Sequence, residues 1–559
     1  MNTPSRGLWQ ARWLVLLVLA AVIVSLPAAQ AQEANGRGST DGLLTHLSQG
    51  AAVRYLLAHP DQAPPQLSER LEAVEQAAAR NRASLQSSQQ SSIPAGVGVQ
   101  FNWDTLGLPQ NEESITACGQ GKVLGGTNDY RGLVDPQGNF TGWHFSTDGG
   151  QSVENEGLLP PVQEKGQPVE SGGDPVAKAG PGCSLYMADL NFDFVPDEDF
   201  LPNGIGVYKS NPETLASCPG GADPSCWPVR KAIAVNSNDK VFLDKPWMYV
   251  GQSGGETFVW TVYTEFRCPD VGCASGDYNS NSIKAVRCDA NLNNCTSPIL
   301  ISGDQPSIQF GDVTIGPDGR TYITWEQDND LQTNFEPPER MKFWIRVAPP
   351  GSTQFGPPHL VAREPLNMGI APLHANDFRV ATYPKNEVAM VGGEPRVFVT
   401  WDGCRVRPAG GSVCEEPQIK LVHSDDLGMT WSEPKVISAG GDNYFPTISV
   451  DRTSQKVAIA YYTNRFDAVF HNRQDVELVA LNPGTSAVTD RQLLTSLSNE
   501  SEADPLLGGL FIGDYFEVFA GGGKALVHYN ANYRSIQLLN EGVPVPQQDN
   551  FLRRTSLQR

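Results

Sequence analysis

The sequence has few basic residues for its length. Its 559 residues include 41 lysines and arginines against 62 aspartates and glutamates, so the formal net charge is −21 at pH 7. Nucleic-acid-binding proteins carry basic faces, and proteins that dock on anionic lipid carry basic patches. The charge balance therefore argues against both partners. Only 18% of the residues are charged, whereas 55 are glycine and 42 are proline, which predicts short strands joined by turns.

Long hydrophobic runs are also lacking after the first 31 residues. Two arginines, Arg6 and Arg12, precede a 14-residue apolar stretch from Trp13 to Leu26, and Ala29-Gln30-Ala31 fits a cleavage site. We interpret residues 1–31 as a signal peptide, since a membrane span needs about 20 apolar residues. An uncleaved signal anchor is the alternative. The expected mature chain has a charge of (41 − 2) − 62 = −23, has no stable membrane span and is secreted, to the extracellular space or the periplasm.

The ten cysteines lack the CxxC…CxxC or histidine-bearing spacing of a zinc site. Instead, most of them form close pairs in Gly/Pro/Asn-rich stretches, which favours local disulfides in an oxidising compartment. The predicted pairs are 218/226, 268/273, 288/295 and 404/414, which leaves Cys118 for Cys183. GxSxG and HExxH motifs are lacking as well, so serine-hydrolase and zincin functions have no motif support.

Residues 32–96 differ in pattern from the rest of the chain. Leucines and valines recur at helical spacing between residues 39 and 85, and a Ser/Gln tract from Leu85 to Ser92 is typical of a linker. A short helical segment is expected here, whether as a pro-segment, a spacer or a cap.

From about residue 97 the chain repeats itself. Seven similar segments begin near residues 110, 174, 244, 311, 377, 444 and 513, at intervals of 64, 70, 67, 66, 67 and 69 residues. Each is followed by a second β-rich run, as in four-stranded antiparallel blades around an axis. We predict an all-β propeller over residues 97–545 with seven blades (six is the alternative) and a C-terminal tail at 546–559. The last repeat is expected to end on a strand at 535–540, and the early strand Val97–Trp103 to close the ring.

Two short motifs resemble a known family. SDDLGMTW (424–431) matches S-x-D-x-G-x-T-W, the Asp box of the sialidase superfamily, and STDGGQSV (146–153) is a second copy; VYKSN (207–211) occupies the same place in blade 2 without the aspartate and glycine. The chain resembles secreted bacterial Asp-box (BNR-repeat) propellers over roughly residues 97–540. In that family the box is a turn between the third and fourth strands of a blade, on the face opposite the active site. The resemblance implies a structural role for Asp426 and Trp431.

Acidic residues collect at the other face, where first strands begin and second strands end. They include Glu112, Asp174, Asp244, Asp312, Asp377 and Asp514. The resemblance implies a sialidase-like exo-glycosidase, in which arginines clamp a substrate carboxylate and a tyrosine is the nucleophile. The matching residues here are Arg131, Arg379 and Arg405 for the clamp, Tyr515 for the nucleophile, and Asp244 or Asp129 for the acid.

Two other functions stay open at this point. A non-catalytic scaffold or binding module would use the acidic mouth to recognise an extracellular glycan or glycoprotein. A polysaccharide lyase would need a neutral base, for which His374 is the best-placed histidine. No cofactor is required by any of these functions, although a ring of oxygens would suit a structural Ca²⁺ ion. The chain is expected to be a monomer.

Overall fold

The computed structural model is a β-propeller of seven four-stranded antiparallel blades, so the six-bladed alternative is wrong. The structure describes residues 95–104, 108–119, 121–134, 138–164, 167–192, 203–236, 238, 240–269, 280–303, 308–328, 341–364, 373, 375–376, 378–406, 414–467, 469–500, 503–504, 507, 511–536 and 545–557. The predicted signal peptide, helical segment and linker lie outside these residues.

The strands are numbered along the chain, and each blade runs from its innermost to its outermost strand. Strand β1 (Val99–Gln100) belongs to blade 7. Blade 1 contains β2 (Gln110–Cys118), β3 (Lys122–Asp129), β4 (Thr141–Ser146) and β5 (Asn155–Leu158). A short strand, β6 (Val162–Glu164), pairs with the start of blade 2, which contains β7 (Gln167–Ala179), β8 (Leu185–Phe192), β9 (Asn203–Ser210) and β10 (Val229–Val235). Blade 3 contains β11 (Val241–Ser253), β12 (Glu256–Arg267), β13 (Ser280–Asp289) and β14 (Ile299–Leu300).

The remaining blades follow the same order. Blade 4 contains β15 (Ile308–Ile315), β16 (Thr321–Asp328), β17 (Met341–Ala348) and β18 (His359–Glu364). Blade 5 contains β19 (Lys385–Val391), β20 (Glu394–Val406), β21 (Glu415–Ser424) and β22 (Lys435–Val436). Blade 6 contains β23 (Asn443–Val450), β24 (Val457–Thr463), β25 (Asp475–Asn482) and β26 (Ala487–Leu493), and blade 7 contains β27 (Glu517–Gly521), β28 (Lys524–Ile536) and β29 (Val545–Ser556) before β1. The described helices are α1 (Pro212–Ser217) and two 3₁₀ turns, Tyr130–Val134 and Pro181–Cys183.

The ring closes by pairing the two ends of the described chain. Strand β1 lies antiparallel to β29, with Val99 opposite Leu552 and Gln100 opposite Phe551. The predicted role of the Val97–Trp103 segment is therefore confirmed, and closure removes exposed sheet edges. The predicted third strand at 535–540 is wrong, because β28 extends to Ile536 and the third strand is β29. That strand lies in the segment predicted to be a tail, and its sequence, VPQQDNFLRRTS, is mostly polar and has no regular pattern of apolar residues.

The innermost strands share a local irregularity that matters for the site. In five blades the pairing with the second strand slips by one residue near the strand start, as between Asn111 and Ser114 in β2. A residue in the left-handed region sits at each slip: Glu112, Asp174, Lys245, Phe310 and Phe445, with φ from 52° to 58°. One-residue bulges of this kind turn a side chain away from the regular alternation. They therefore decide which side chains lie at the propeller axis.

The SDDLGMTW segment forms the turn between β21 and β22. Ser424 Oγ donates to Asp426 Oδ1 (2.8 Å), and the Thr430 amide and hydroxyl donate to the same carboxylate at 2.8 and 2.6 Å. Gly428 has φ +86°, and the Trp431 ring packs against the blade 4 core. The STDGGQSV segment repeats these bonds, with Ser146 and Ser152 donating to Asp148. Asp426 is a turn residue, as predicted.

The adjacent carboxylates of this turn have different partners, so we predict that their removal lowers the free energy of unfolding by different amounts. Asp426 accepts three turn hydrogen bonds, whereas Asp425 pairs with Arg396 and is 60% exposed. Asp426→Ala should lower the free energy of unfolding by about 1–2 kcal/mol, because turn donors lose their acceptor. Asp425→Ala, the matched control, should cost under about 1 kcal/mol. Urea unfolding measures both, and equal losses would contradict the assignment.

Four disulfides join described cysteines: 118–183, 218–226, 288–295 and 404–414. These are four of the five predicted pairs. Cys268 is also disulfide-bonded, and Cys273 lies outside the described residues. A search of those residues finds no helix long and apolar enough to cross a membrane.

Candidate functional site

A group of charged and aromatic side chains meets where the innermost strands begin. We call this group the axial cluster, and it consists of Glu112, Asp174, Asp244, Lys245, Arg379, Tyr383, Asp514 and Tyr515. These residues come from five blades and are almost completely buried. Burial raises the pKa of Tyr383 well above its usual value, and the carboxyl groups of Asp514, Glu112 and Asp174, which come from other blades, raise it further. The bulges described above bring them together.

Asp514 is the anionic centre of the cluster. Arg379 donates to both of its oxygens, from Nε at 2.7 Å and from Nη2 at 2.5 Å, and Lys245 Nζ lies 2.5 Å from Oδ2. Burial alone would raise the pKa of Asp514, but the two cations lower it below its usual value. Asp514 is therefore ionised at neutral pH.

Glu112 has the opposite protonation behaviour. Burial, followed by the neighbouring carboxyl groups of Asp174 and Asp514, raises the pKa of Glu112 well above its usual value. Its Oε2 accepts a hydrogen bond from Asn128 (2.7 Å), and its Oε1 accepts one from the backbone amide of Asp514 at 3.2 Å. Glu112 therefore carries a proton at a pH where Asp514 carries a charge. Carboxyl groups with pKa values pushed apart in this way are the usual acid and base of a hydrolytic site.

Several polar atoms of the cluster lack a complete set of partners. Among the described residues, Asp174 has no partner for its carboxylate oxygens other than the Glu112 carboxyl, and Asp244 Oδ2 and the Tyr383 hydroxyl have none. Buried polar groups are normally hydrogen-bonded. These unsatisfied buried atoms distinguish the cluster from an ordinary core and mark it as a candidate site.

The predicted nucleophile, Tyr515, lies in the axial cluster, but its hydroxyl is engaged. It donates to the backbone carbonyl of Pro175 at 2.9 Å, and its ring packs edge-on against Trp247. Burial and the carboxyl groups of Glu112 and Asp174 raise its pKa well above the usual value. The phenol therefore keeps its proton.

The three arginines predicted to form one clamp have different partners. Arg379 binds Asp514 in the axial cluster, and Arg131 binds Asp129 in a bidentate pair and also Glu156 in blade 1. Arg405 pairs with Glu416 on the surface, where its side chain is 56% exposed. No described carboxylate joins any two of the three. Of the six predicted catalytic residues, the structure brings together Asp244, Arg379 and Tyr515, and it places Asp129, Arg131 and Arg405 elsewhere.

Sequence reasoning missed Lys245 and Tyr383 and did not rank Glu112 as catalytic. A usable signal was present, because a residue of the cluster precedes proline in three repeats: Asp174-Pro175, Lys245-Pro246 and Tyr383-Pro384. Phe445-Pro446 has the same pattern. Asp312 lies two residues after Phe310, the left-handed residue of β15. Burial raises the pKa of Asp312, and the charge of Lys385 partly opposes this. His374 and Asp377 lie outside the described residues.

The described residues contain no group of three His, Cys, Asp or Glu side chains that could hold a metal ion. In the axial cluster, Lys245 and Arg379 already balance the charge of Asp514. A structural Ca²⁺ ion stays a prediction of the sequence.

Comparisons with known proteins give similarities of structure only. No protein family and no curated protein sequence match the chain. It is similar to a protein of unknown function from Dyadobacter fermentans (TM-score 0.42, 10% identity, 72% of this chain and 98% of that one). It is also similar to an α-L-arabinofuranosidase from Fusarium graminearum (TM-score 0.38, 11% identity, 66% and 92%) and to the endosialidase of phage phi92 (TM-score 0.40, 10% identity, 82% and 69%).

Proposed function

We propose that this chain is a secreted, sialidase-like propeller that hydrolyses extracellular glycans at the axial cluster, with Glu112 as the proton donor. One observation carries the proposal: Glu112, whose pKa is raised, accepts a hydrogen bond from the backbone amide of Asp514, whose pKa is lowered, so the two carboxyl groups belong to one cluster at the start of the innermost strands. Glycoside hydrolysis needs such a pair. The apolar segment near the N-terminus and the disulfides support secretion.

The proposed reaction breaks the bond between the anomeric carbon and the glycosidic oxygen. Glu112 gives its proton to the leaving oxygen, and the charge of Asp514 stabilises the positive charge that develops at the anomeric carbon. Water supplies a hydroxyl group to that carbon, and its remaining proton restores Glu112. Arg379 and Lys245 hold Asp514 ionised and in place.

The test compares two neighbouring glutamates on β2. Both Glu112 and Glu113 are fully buried and have a raised pKa, but only Glu112 belongs to the axial cluster. With a panel of fluorogenic neutral and acidic glycosides, Glu112→Gln should lower kcat by about 10²–10⁴-fold. Glu113→Gln should leave kcat near that of the unchanged protein. Equal activity of the two variants, or no hydrolysis of any substrate by the unchanged protein, would refute the proposal.

A glycan-binding module without catalysis is the second candidate function. The ion pairs of the cluster favour it, because Asp514 is already bound by Lys245 and Arg379. Titration calorimetry with non-hydrolysed glycans distinguishes the two: binding without turnover, unchanged in Glu112→Gln, would support the module.

A further inference from the structure

A second concave region lies on the opposite face of the propeller, along the junction between blades 7 and 1. We call it the seam groove, and its volume is about 640 Å³. Three turns border it: the one after β2, the STDGGQSV turn, and the turn between β27 and β28. Pockets of about 300–1,000 Å³ are typical of ligand sites, so the groove is large enough for an oligosaccharide.

The cationic side chains of the groove are not neutralised. Lys524 on β28 and Arg554 on β29 are both exposed, and among the described residues neither has an ion pair. Leu526 is two residues after Lys524 on β28 and lies opposite Arg554 on β29. Lys524, Leu526 and Arg554 therefore lie on the same face of blade 7. In a chain with a net charge of −21, two unpaired cations in one groove create a local site for anions.

Among the described residues that line the groove, the one carboxylate is Asp148, which forms no ion pair with either cation, so the lining keeps a net positive charge. Asp148 is tied into its own turn, where its oxygens accept hydrogen bonds from Ser146, Gln151 and Ser152. The Arg554 guanidinium lies over Gly149 of that turn, where an added Cβ would approach its Nη1 to 3.0 Å. The turn therefore supports the arginine without pairing with it.

The groove also continues into the lower mouth of the central channel. A cavity of about 240 Å³ at that mouth shares Phe519, Gly521 and Gly522 with the groove. Phe519 is half-buried and presents part of its ring to the shared region. The adjoining cavity is also lined by Asp451 and by the ion pairs of Lys178 with Glu517 and of Arg452 with Glu387. The two unpaired cations therefore belong to the groove, and the elongated shape of the path suits a polymer better than a small anion.

We propose that the seam groove binds an acidic polysaccharide strand, with Lys524 and Arg554 contacting its carboxylate groups. This site is separate from the axial cluster and does not depend on catalysis there. Binding at the seam groove would hold the protein on the polysaccharide while the face that carries the axial cluster stays free. Charge-assisted hydrogen bonds from Arg and Lys are the strongest available for carboxylate recognition.

The test is calorimetric titration with an oligogalacturonate and with its methyl ester, which has the same length but no charge. We expect the acid form to bind, more weakly at higher salt, and the ester to bind much less. Lys524→Gln with Arg554→Gln should weaken binding about 10- to 100-fold. The control, Lys435→Gln with Lys456→Gln, removes the same charge at an exposed lysine of blade 5 and a partly exposed lysine of blade 6, and it should bind as the unchanged protein does.

Three results would overturn the proposal. They are no binding of the acid form, equal binding of the ester, or the same loss in the control variant. Stronger binding of an acidic peptide than of the oligogalacturonate would also reject a polysaccharide ligand. Because Glu112→Gln leaves the groove intact, it should bind normally, which separates failure here from failure of the proposed hydrolysis. Melting curves check the folding of every variant, because Glu112 is fully buried and Lys456 is partly buried, whereas Lys435, Lys524 and Arg554 are exposed.

Discussion

Replacing Asp514 with alanine should lower the free energy of unfolding by about 3–5 kcal/mol, the cost of leaving a buried ion-pair network without one partner. Asp514 is fully buried, and its two oxygens accept hydrogen bonds from both Lys245 and Arg379. Without it, two positive charges remain in a region that water barely reaches. Denaturant unfolding monitored by tryptophan fluorescence measures the loss.

The matched control is the surface pair of Arg405 and Glu416. Both side chains are more than half exposed, so Glu416→Ala should cost less than about 1 kcal/mol. A second variant separates charge from packing: Asp514→Asn combined with Lys245→Met and Arg379→Met should recover much of the stability, because removing a whole buried network is far cheaper than breaking it. Equal losses in Asp514→Ala and Glu416→Ala would contradict the buried network.

The protein should be more stable at pH 5 than at pH 8. Burial is the main cause that raises the pKa of Asp312 to about 6 and the pKa values of Asp402 and Asp549 to about 7. In the unfolded chain such groups have a pKa near 3.9. The folded state therefore holds protons that the unfolded state releases. The stability from these groups is complete below about pH 4 and is lost as the pH rises through 6 to 7.

The size of this effect is considerable. A shift of about three pKa units corresponds to roughly 4 kcal/mol for a fully buried group. Glu156 limits stability at the acid end. Burial raises its pKa, but Arg131 and His144 outweigh that effect and lower the pKa to about 2. The stability that the ionised Glu156 contributes is therefore lost only below about pH 4. The melting temperature should therefore be highest between about pH 4 and 6.

Asp549 provides the variant that checks this. It lies on β29, where it contacts Asn102, the second residue after β1, so its ionisation acts at the closure of the ring. Asp549→Asn can keep these hydrogen bonds while removing the charge. It should raise the melting temperature at pH 8 and leave it nearly unchanged at pH 5. A melting temperature that rises from pH 5 to pH 8 in the unchanged protein would refute the prediction.

Much of the architecture could be predicted because its signals are local. A β-rich run after each repeat start identified the second strands, and the seven regularly spaced repeats predicted seven blades. Cysteines a few residues apart in turn-rich stretches predicted three of the observed disulfides, and elimination supplied Cys118–Cys183. The last blade was the exception, because β29 follows a long connection and lacks a regular pattern of apolar residues.

The site was predicted only in part, for a physical reason. Grouping the acids by sequence position treated Asp244 as the equivalent of Glu112 and Asp174. In the structure the left-handed residue at the bulge of β11 is Lys245, so Lys245 is their equivalent. A slip of one residue exchanges the faces of a strand, so a small error in register changes which side chain reaches the axis. The three arginines predicted to form a clamp each pair with a different carboxylate in the structure, Asp129, Asp514 and Glu416.

By itself, the sequence determined a ring of seven four-stranded blades, the turns that carry the SDDLGMTW pattern and the closure of the ring by an early strand. These follow from periodicity, turn chemistry and the need to cover sheet edges, which act over short distances along the chain. Only the tertiary structure decided that Glu112, Lys245, Arg379 and Asp514 share one buried network. Its members lie up to about 400 residues apart, and their protonation depends on burial and on charges from other blades, which exist only once the ring has closed.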